Sequence, residues 1–320
     1  MPATRILVTE PSLPAMADQL AARLPQDVEV VHLPSFDDED LGRLGADATI
    51  IVNFRRPIDA AALARLPKLR FIQLAGIGTN SVDLAAAAAA GVTVAYNPGV
   101  NSIGAAEHTV MLMLALVKRL AASERQTRSG AFVPGDLIAG GIDDLAGATV
   151  GIVGMGSIGR AVAERLQPFG VRLVYRSRHP VPEAESRFGA ERLSLDELLR
   201  VSNIVSLHVP LTPETHHLIG RPQLAAMMPG AYLVNAGRGG LVDEAALRAA
   251  LLEGSLAGAA LDVLEHETEG RNPFAEVADV IVTLHIGGGS RSSMAAAIER
   301  SAANVRRFLA GEPVIDLVAD

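Results

Sequence analysis

Gly151-Ile152-Val153-Gly154-Met155-Gly156-Ser157-Ile158-Gly159 follows a strand-like run that begins at Thr149 and opens a helix-like run from Arg160 to Leu166. Gly154, Gly156 and Gly159 have the G-x-G-x-x-G spacing. Each glycine has its own task there: a tight turn, close backbone approach to a pyrophosphate, and close packing of helix on strand. The helix start offers unpaired N–H groups and a positive dipole end to phosphate, and Ser157 and Ile158 belong to that start. The spacing alone is weak, because glycine-rich turns are common. A strand before it, a helix after it and another strand about 20 residues on make it a dinucleotide signature.

Outward from this stretch, short apolar runs alternate with helical ones along the whole chain. Toward the N-terminus, Arg5–Thr9, Val28–His32, Thr49–Val52, Phe71–Leu74 and Thr93–Tyr96 read as strands. Pro14–Leu24, Asp59–Leu66 and the alanine-rich Asp83–Ala90 read as helices, and Asp37–Asp40 as a solvated loop or helix start. Asn97-Pro98-Gly99 breaks the pattern. A long helix is expected from Ser102 to about Leu120, then a connection over Ser129–Gly147. Toward the C-terminus, Thr149–Val153, Arg172–Tyr175, Ile204–Leu207, Tyr232–Asn235, Ala257–Asp262 and Val280–Thr283 read as strands, with a last helix over Ser290–Leu309. Strands alternating with helices of this length predict parallel βαβ units.

Composition excludes several function classes. Of the 320 residues, 49% are hydrophobic and 20% charged, so the chain is not globally disordered. Lys and Arg number 28 against 36 Asp and Glu, a net charge of −8 that argues against nucleic acid or an anionic membrane as the partner. With no cysteine there is no disulfide, thiolate metal site or cysteine nucleophile, and no metal is expected. The apolar run Val110–Val117 is too short to span a bilayer, and the expectation is a soluble, cytoplasmic protein.

The strand after the glycine loop ends Tyr175-Arg176-Ser177-Arg178, with no acidic residue before Glu183. A carboxylate at that point holds the ribose 2′-OH of NAD, whereas arginines and a hydroxyl suit the 2′-phosphate of NADP. NADP is therefore the expected cofactor, with NAD possible; the other reading of these arginines is plain surface charge. Arg238, Glu267 and His285 each stand beyond a strand end, where parallel sheets place their ligands. Reduction of a 2-oxo acid needs a proton donor for the forming hydroxyl and a cation for the carboxylate. His285 can be that acid, Glu267 can hold and charge the imidazole, and Arg238 can grip the substrate's oxygens.

The chain resembles the D-isomer-specific 2-hydroxyacid dehydrogenases. The likeness rests on Gly151–Gly159, His208-Val209-Pro210-Leu211-Thr212 with Thr215, Val234–Asp243, Asp262–Glu267, His285–Gly288, Leu74–Asn80 and Ala106-Glu107-His108-Thr109. It implies an α/β fold of two Rossmann-like domains with parallel sheets. The smaller, flavodoxin-like one is discontinuous, residues 1–98 and 286–320, and takes substrate; residues 99–285 bind the dinucleotide. By the same resemblance Arg238, Glu267 and His285 are the catalytic set, and the backbone at Ile77 and Gly78 meets the substrate carboxylate. Thr109 and Asp262 contact the nicotinamide end, and Ala236 and Thr215 join the cofactor contacts. His208, Val209 and Pro210 line the adenosine side. Arg55 stands where some relatives hold the substrate's far end, or else is a surface charge. His216 and His217 match no role in the family and are expected on a surface loop.

The resemblance also implies a homodimer through the helix at Ser102–Leu120, a buried helix within a monomer being the other reading. A small 2-oxo acid, glyoxylate or hydroxypyruvate, is the expected substrate. The alternative function is a dinucleotide-sensing, co-repressor-like interaction protein. The sequence departs from the family at Thr268 and Leu284, where prolines are usual, and it lacks tryptophan altogether.

Overall fold

A computed structural model describes residues 4–267 and 270–318, so Thr268 lies outside the described residues. The chain divides into two compact units, Met1–Asn101 with Arg291–Asp320, and Ser102–Ser290.

The first unit holds a sheet of β1 (Thr4–Val8), β2 (Val28–His32), β3 (Ala48–Asn53), β4 (Phe71–Leu74) and β5 (Thr93–Ala95), ordered β2-β1-β3-β4-β5 and parallel throughout. This is the flavodoxin-like strand order. Its strands read as near-continuous apolar runs because helices cover both faces. The helix Arg291–Leu309 supplies part of one cover, with Ile298, Ala302 and Val305 buried against Ile6, Val8, Ile50 and Phe71. Polar groups locate it: Asn97 Nδ2 donates to Ala297 O at 3.1 Å and to Ser301 Oγ at 3.0 Å, and Asn304 Nδ2 to Gln73 Oε1 at 2.8 Å. All of these amides are buried, so each orphaned donor would carry its desolvation cost. The acidic run at 37–40 opens the helix Asp38–Gly45, where three carboxylates in the first turn meet the positive dipole end.

The second unit holds β6 (Thr149–Val153), β7 (Arg172–Arg176), β8 (Glu191–Arg192), β9 (Ile204–Leu207), β10 (Ala231–Asn235), β11 (Leu256–Leu261) and β12 (Val280–Val282). They are parallel and ordered β12-β11-β10-β9-β6-β7-β8. From the β8 edge this is the dinucleotide-binding order with one strand added, and the topological switch falls between β6 and β9. Val150, Ile152, Ile204 and Val234 pack on one side against Leu112, Met113 and Leu116 of the helix Ser102–Val117.

That helix ends earlier than its composition predicts. Arg119 takes a left-handed φ of 49°, and a second helix, Leu120–Arg128, starts directly after it. Lys118 pairs with Asp144, and Arg119 with Asp279 at 3.5 Å, so long-range charge pairs hold the break. The connection that follows contains a short helix, Gly135–Ala139. β8, two residues long, has too few positions to show a sequence period. Among the described residues no helix is long and apolar enough to cross a membrane.

Candidate active site

The loops after β10, β11 and β12 bring a carboxylate and an imidazole together and set a guanidinium near them. After β12, His285 has a left-handed φ of 53° and donates its backbone N–H to Asp262 O at 2.7 Å. The imidazole Nδ1 stands 2.9 Å from Glu267 Oε2, and Glu267 Oε1 accepts from Leu264 N at 3.2 Å. The ring is 41% exposed, and Nε2 makes no hydrogen bond among the described residues. A carboxylate on Nδ1 fixes the tautomer so that Nε2 is the nitrogen available to a ligand.

Arg238 follows β10 in a turn built by Asn235, whose Oδ1 accepts from Gly237 N at 3.0 Å and whose Nδ2 donates to Arg238 O at 2.9 Å. Burial pushes the Arg238 guanidinium below its ordinary value, and the Glu267 charge opposes that shift. A guanidinium stays protonated regardless. A cation held in low dielectric attracts an incoming anion more strongly than one in water.

The turn that carries His285 rests on Asp262. Both oxygens of this buried carboxylate are engaged: Oδ1 accepts from Thr283 Oγ1 at 2.6 Å and Ile286 N at 3.0 Å, Oδ2 from Gly287 N at 2.8 Å. His108 Nε2 completes the network, 3.0 Å from Thr283 Oγ1 and 3.2 Å from Asp262 Oδ1. A side chain on Gly287 would meet Asp262 Oδ2 at 2.8 Å, so the close approach requires glycine.

At the switch point, Gly154 has a φ of 104° and its N–H donates to Arg176 O at 2.8 Å. A Cβ there would lie 2.6 Å from the His208 backbone, and one on Gly159 only 2.0 Å from Gly154 O. A Cβ on Gly156 would meet nothing within 4 Å, and no side chain caps the ten-residue helix Ser157–Leu166 that it precedes. Open space in front of uncapped amides is the cradle a pyrophosphate fills. His208 adds a second indication. Its Nε2 is 2.8 Å from Ser206 Oγ, while Nδ1 is buried without a hydrogen-bond partner among the described residues. Burial lowers this imidazole to about 4.

A family model described as the D-isomer specific 2-hydroxyacid dehydrogenase NAD binding domain matches residues 110–287. The chain belongs to the D-isomer-specific 2-hydroxyacid dehydrogenase family. It is 38% identical over 314 residues to D-3-phosphoglycerate dehydrogenase of Mycobacterium tuberculosis, covering 96% of this chain and 59% of that protein. To glyoxylate reductase of Thermococcus litoralis it is 38% identical over 266 residues, 82% of this chain and 80% of that one. The TT0316 protein from Thermus thermophilus superposes with a TM-score of 0.87 at 36% identity, over 99% of this chain and 100% of the other. The chain thus spans about three fifths of the length of the phosphoglycerate dehydrogenases it matches.

Other residues singled out by this family's motifs are placed as follows. Arg176 lines a cleft with Arg192, Leu193, Ser194 and Asp196, whereas the exposed Arg178 and the adjacent Ser177 are not among its lining residues. The Arg176 guanidinium donates to Ser177 O. Arg192, which sequence reasoning passed over, donates to Ser177 O at 3.2 Å and Arg178 O at 3.1 Å, and so shapes the turn after β7. No sequence pattern singled it out, since Arg187 stands between it and the β7 pair. Thr109 is fully buried and its hydroxyl returns to Ala105 O at 2.7 Å. The Thr215 hydroxyl builds its own loop, donating to Pro210 O and accepting from Thr212 N, both at 2.7 Å. Val209 packs beside Gly154, and Ala236 starts the turn after β10.

In the first unit, Ile77 and Gly78 follow β4 and are half-buried. Arg55 follows β3 and is engaged by Glu10, at 2.9 and 3.2 Å through two nitrogens. Burial raises the Glu10 carboxyl, but Arg55 and Ser12 more than offset that and hold it below the ordinary value. A bidentate pair of this kind competes with any ligand for Arg55.

Proposed function

We propose that the chain is an NADP(H)-preferring reductase of small 2-oxo acids, glyoxylate or hydroxypyruvate being favoured. The observation that carries this reading is the His285–Glu267 pair, 2.9 Å apart at Nδ1 with Nε2 free among the described residues. When bound, the nicotinamide supplies the hydride that goes to C2 of the oxo acid. His285 Nε2–H donates its proton to the carbonyl oxygen as that oxygen becomes a hydroxyl. Glu267 stabilises the imidazolium beforehand and keeps the ring in one orientation. Arg238 pairs with the carboxylate and draws charge toward the carbonyl oxygen. Asp262 acts on this reading through the 285–287 turn, and Ile77 and Gly78 are assigned to the substrate carboxylate on the family resemblance. Arg55 is the weaker assignment, since Glu10 already engages it.

The preference for NADP rests on Arg176 and Arg192 at one cleft, with no carboxylate at the end of β7. Asp196 also lines that cleft and opposes a phosphate there, so the two guanidiniums must outweigh it. A homodimer fits the apolar hollow formed by Val110, Met111, Leu114, Leu120 and Phe169, bordered by Glu107, Lys118 and Arg165. A cytoplasmic setting suits reduction, because NADPH is kept reduced there.

The test is a steady-state panel of 2-oxo acids with NADPH and with NADH. The reading expects turnover of glyoxylate or hydroxypyruvate with higher kcat/KM for NADPH. Turnover confined to NADH would remove the cofactor assignment, and no turnover of any oxo acid would remove the reductase itself.

A further inference from the structure

The loop between β9 and the helix Arg221–Ala226 carries two consecutive histidines that the reductase chemistry leaves unused. Both turn Nε2 toward one carboxylate. His216 Nε2 is 3.1 Å from Glu265 Oε1, and His217 Nε2 is 3.0 Å from Oε1 and 3.1 Å from Oε2. The three donor groups lie within 4.8 Å of one another, and the imidazoles stack with centroids 4.0 Å apart.

Adjacent side chains ordinarily diverge along a chain. Here His217 takes a left-handed φ of 50°, which brings its ring alongside that of His216. One tertiary and one local contact hold that conformation: His217 N donates to Gly240 O at 2.8 Å, and Thr212 N donates to Thr215 Oγ1 at 2.7 Å within the same loop. Glu265 is held from the other side, its N–H donating to Glu244 Oε1 at 2.7 Å. A left-handed non-glycine residue persists only where its surroundings fix it.

We propose that His216, His217 and Glu265 form a binding site for a late first-row divalent cation of the Zn²⁺ class. Two imidazoles and a carboxylate are the donor set such ions take, whereas Mg²⁺ and Ca²⁺ take oxygen ligands. Donors about 2.0–2.1 Å from a tetrahedral ion stand about 3.3 Å from each other. The nitrogen–oxygen separations of 3.0 and 3.1 Å need to open by only a few tenths of an ångström. Each imidazole then carries its proton on Nδ1 and gives the Nε2 lone pair to the ion. His216 and His217 are 51% and 38% exposed, which leaves the fourth position to water. A bound ion ties the 212–217 loop to the loop that holds Glu267, two residues beyond Glu265.

The experiment titrates Zn²⁺ calorimetrically into the chelator-treated full chain and repeats this for H216A, E265Q and the exposed control H179A. One ion per chain is expected, with affinity weakened at least about tenfold in H216A and in E265Q and unchanged in H179A. Zn²⁺ should also raise the Tm of the natural chain more than that of H216A, and X-ray absorption should count two imidazole nitrogens on the ion. Equal affinity in the natural chain and H216A overturns the site, as does absence of one-to-one binding at about 100 μM Zn²⁺. None of these readouts depends on catalysis, so failure of the metal site is separate from failure of the reductase reading.

Discussion

The turn that carries His285 and the turn that carries Arg176 both follow strands of one parallel sheet, yet they are held in different ways. Behind His285, a buried carboxylate accepts from two backbone amides and a threonine hydroxyl, and a second imidazole closes the network. Behind Arg176, guanidinium bonds to the carbonyls of Ser177 and Arg178 hold the start of the turn, and the Tyr175 hydroxyl accepts from Val181 N at 2.9 Å at its far end. A buried network is costly to disturb, because each lost partner strands a polar group away from water. Half-exposed arginines can be exchanged with little penalty to folding. The acid–base end should therefore resist substitution, and the cofactor-selecting end should be open to change.

The largest effect that would sharpen this contrast is expected at His285. H285N removes the proton donor and should lower kcat with glyoxylate by about 10²–10⁴-fold while leaving Tm nearly unchanged, since the side chain is exposed. A loss of less than tenfold, read by stopped-flow or steady-state assay, would break the assignment.

The pH dependence of stability probes the one strongly shifted group beside the glycine loop. Burial lowers His208 from 6.5 to about 4. Above its ordinary value both folded and unfolded rings are neutral and nothing is lost. As pH falls through 6.5 the unfolded chain takes up a proton that the folded one refuses, so stability declines until about pH 4. The loss is on the order of 3 kcal/mol. Urea unfolding at stepped pH should show this decline in the natural chain and a flatter one in H208Q; identical slopes would exclude His208 as its source.

At Asp262, the neutral D262N keeps the shape but replaces one accepting oxygen by a donor facing an amide. It should cost about 1–3 kcal/mol in denaturant unfolding and lower kcat as the His285 turn loosens. Unchanged stability would erase the distinction between the two turns.

The smallest effects belong to the cofactor-selecting end. R176A should reduce kcat/KM for NADPH by about 10-fold or more, the worth of one charge-assisted contact, and leave NADH use and Tm intact. R192A, which removes the bonds to the 177–178 carbonyls, should give a smaller change in the same direction. If either variant weakens NADH and NADPH alike, the residue serves the turn and not the phosphate.

Strand positions, the glycine loop and the α/β alternation were legible in the chain because they depend on local period and on residues close in sequence. The run of buried strands from Ile204 to Leu207 and from Ala231 to Asn235 follows directly from apolar composition. The two-residue β8 was not legible, and neither was the left-handed break at Arg119, which is held by Asp144 and Asp279 from distant segments. His108 was visible only as part of a helix motif, since its partners Thr283 and Asp262 lie in other elements. Local propensity and spacing thus determined the sheet-building frame and the candidate residue types. Which oxygen, nitrogen or amide each side chain meets was decided by tertiary structure alone. Such pairings join residues far apart along the chain, and their strength depends on burial that no local pattern encodes.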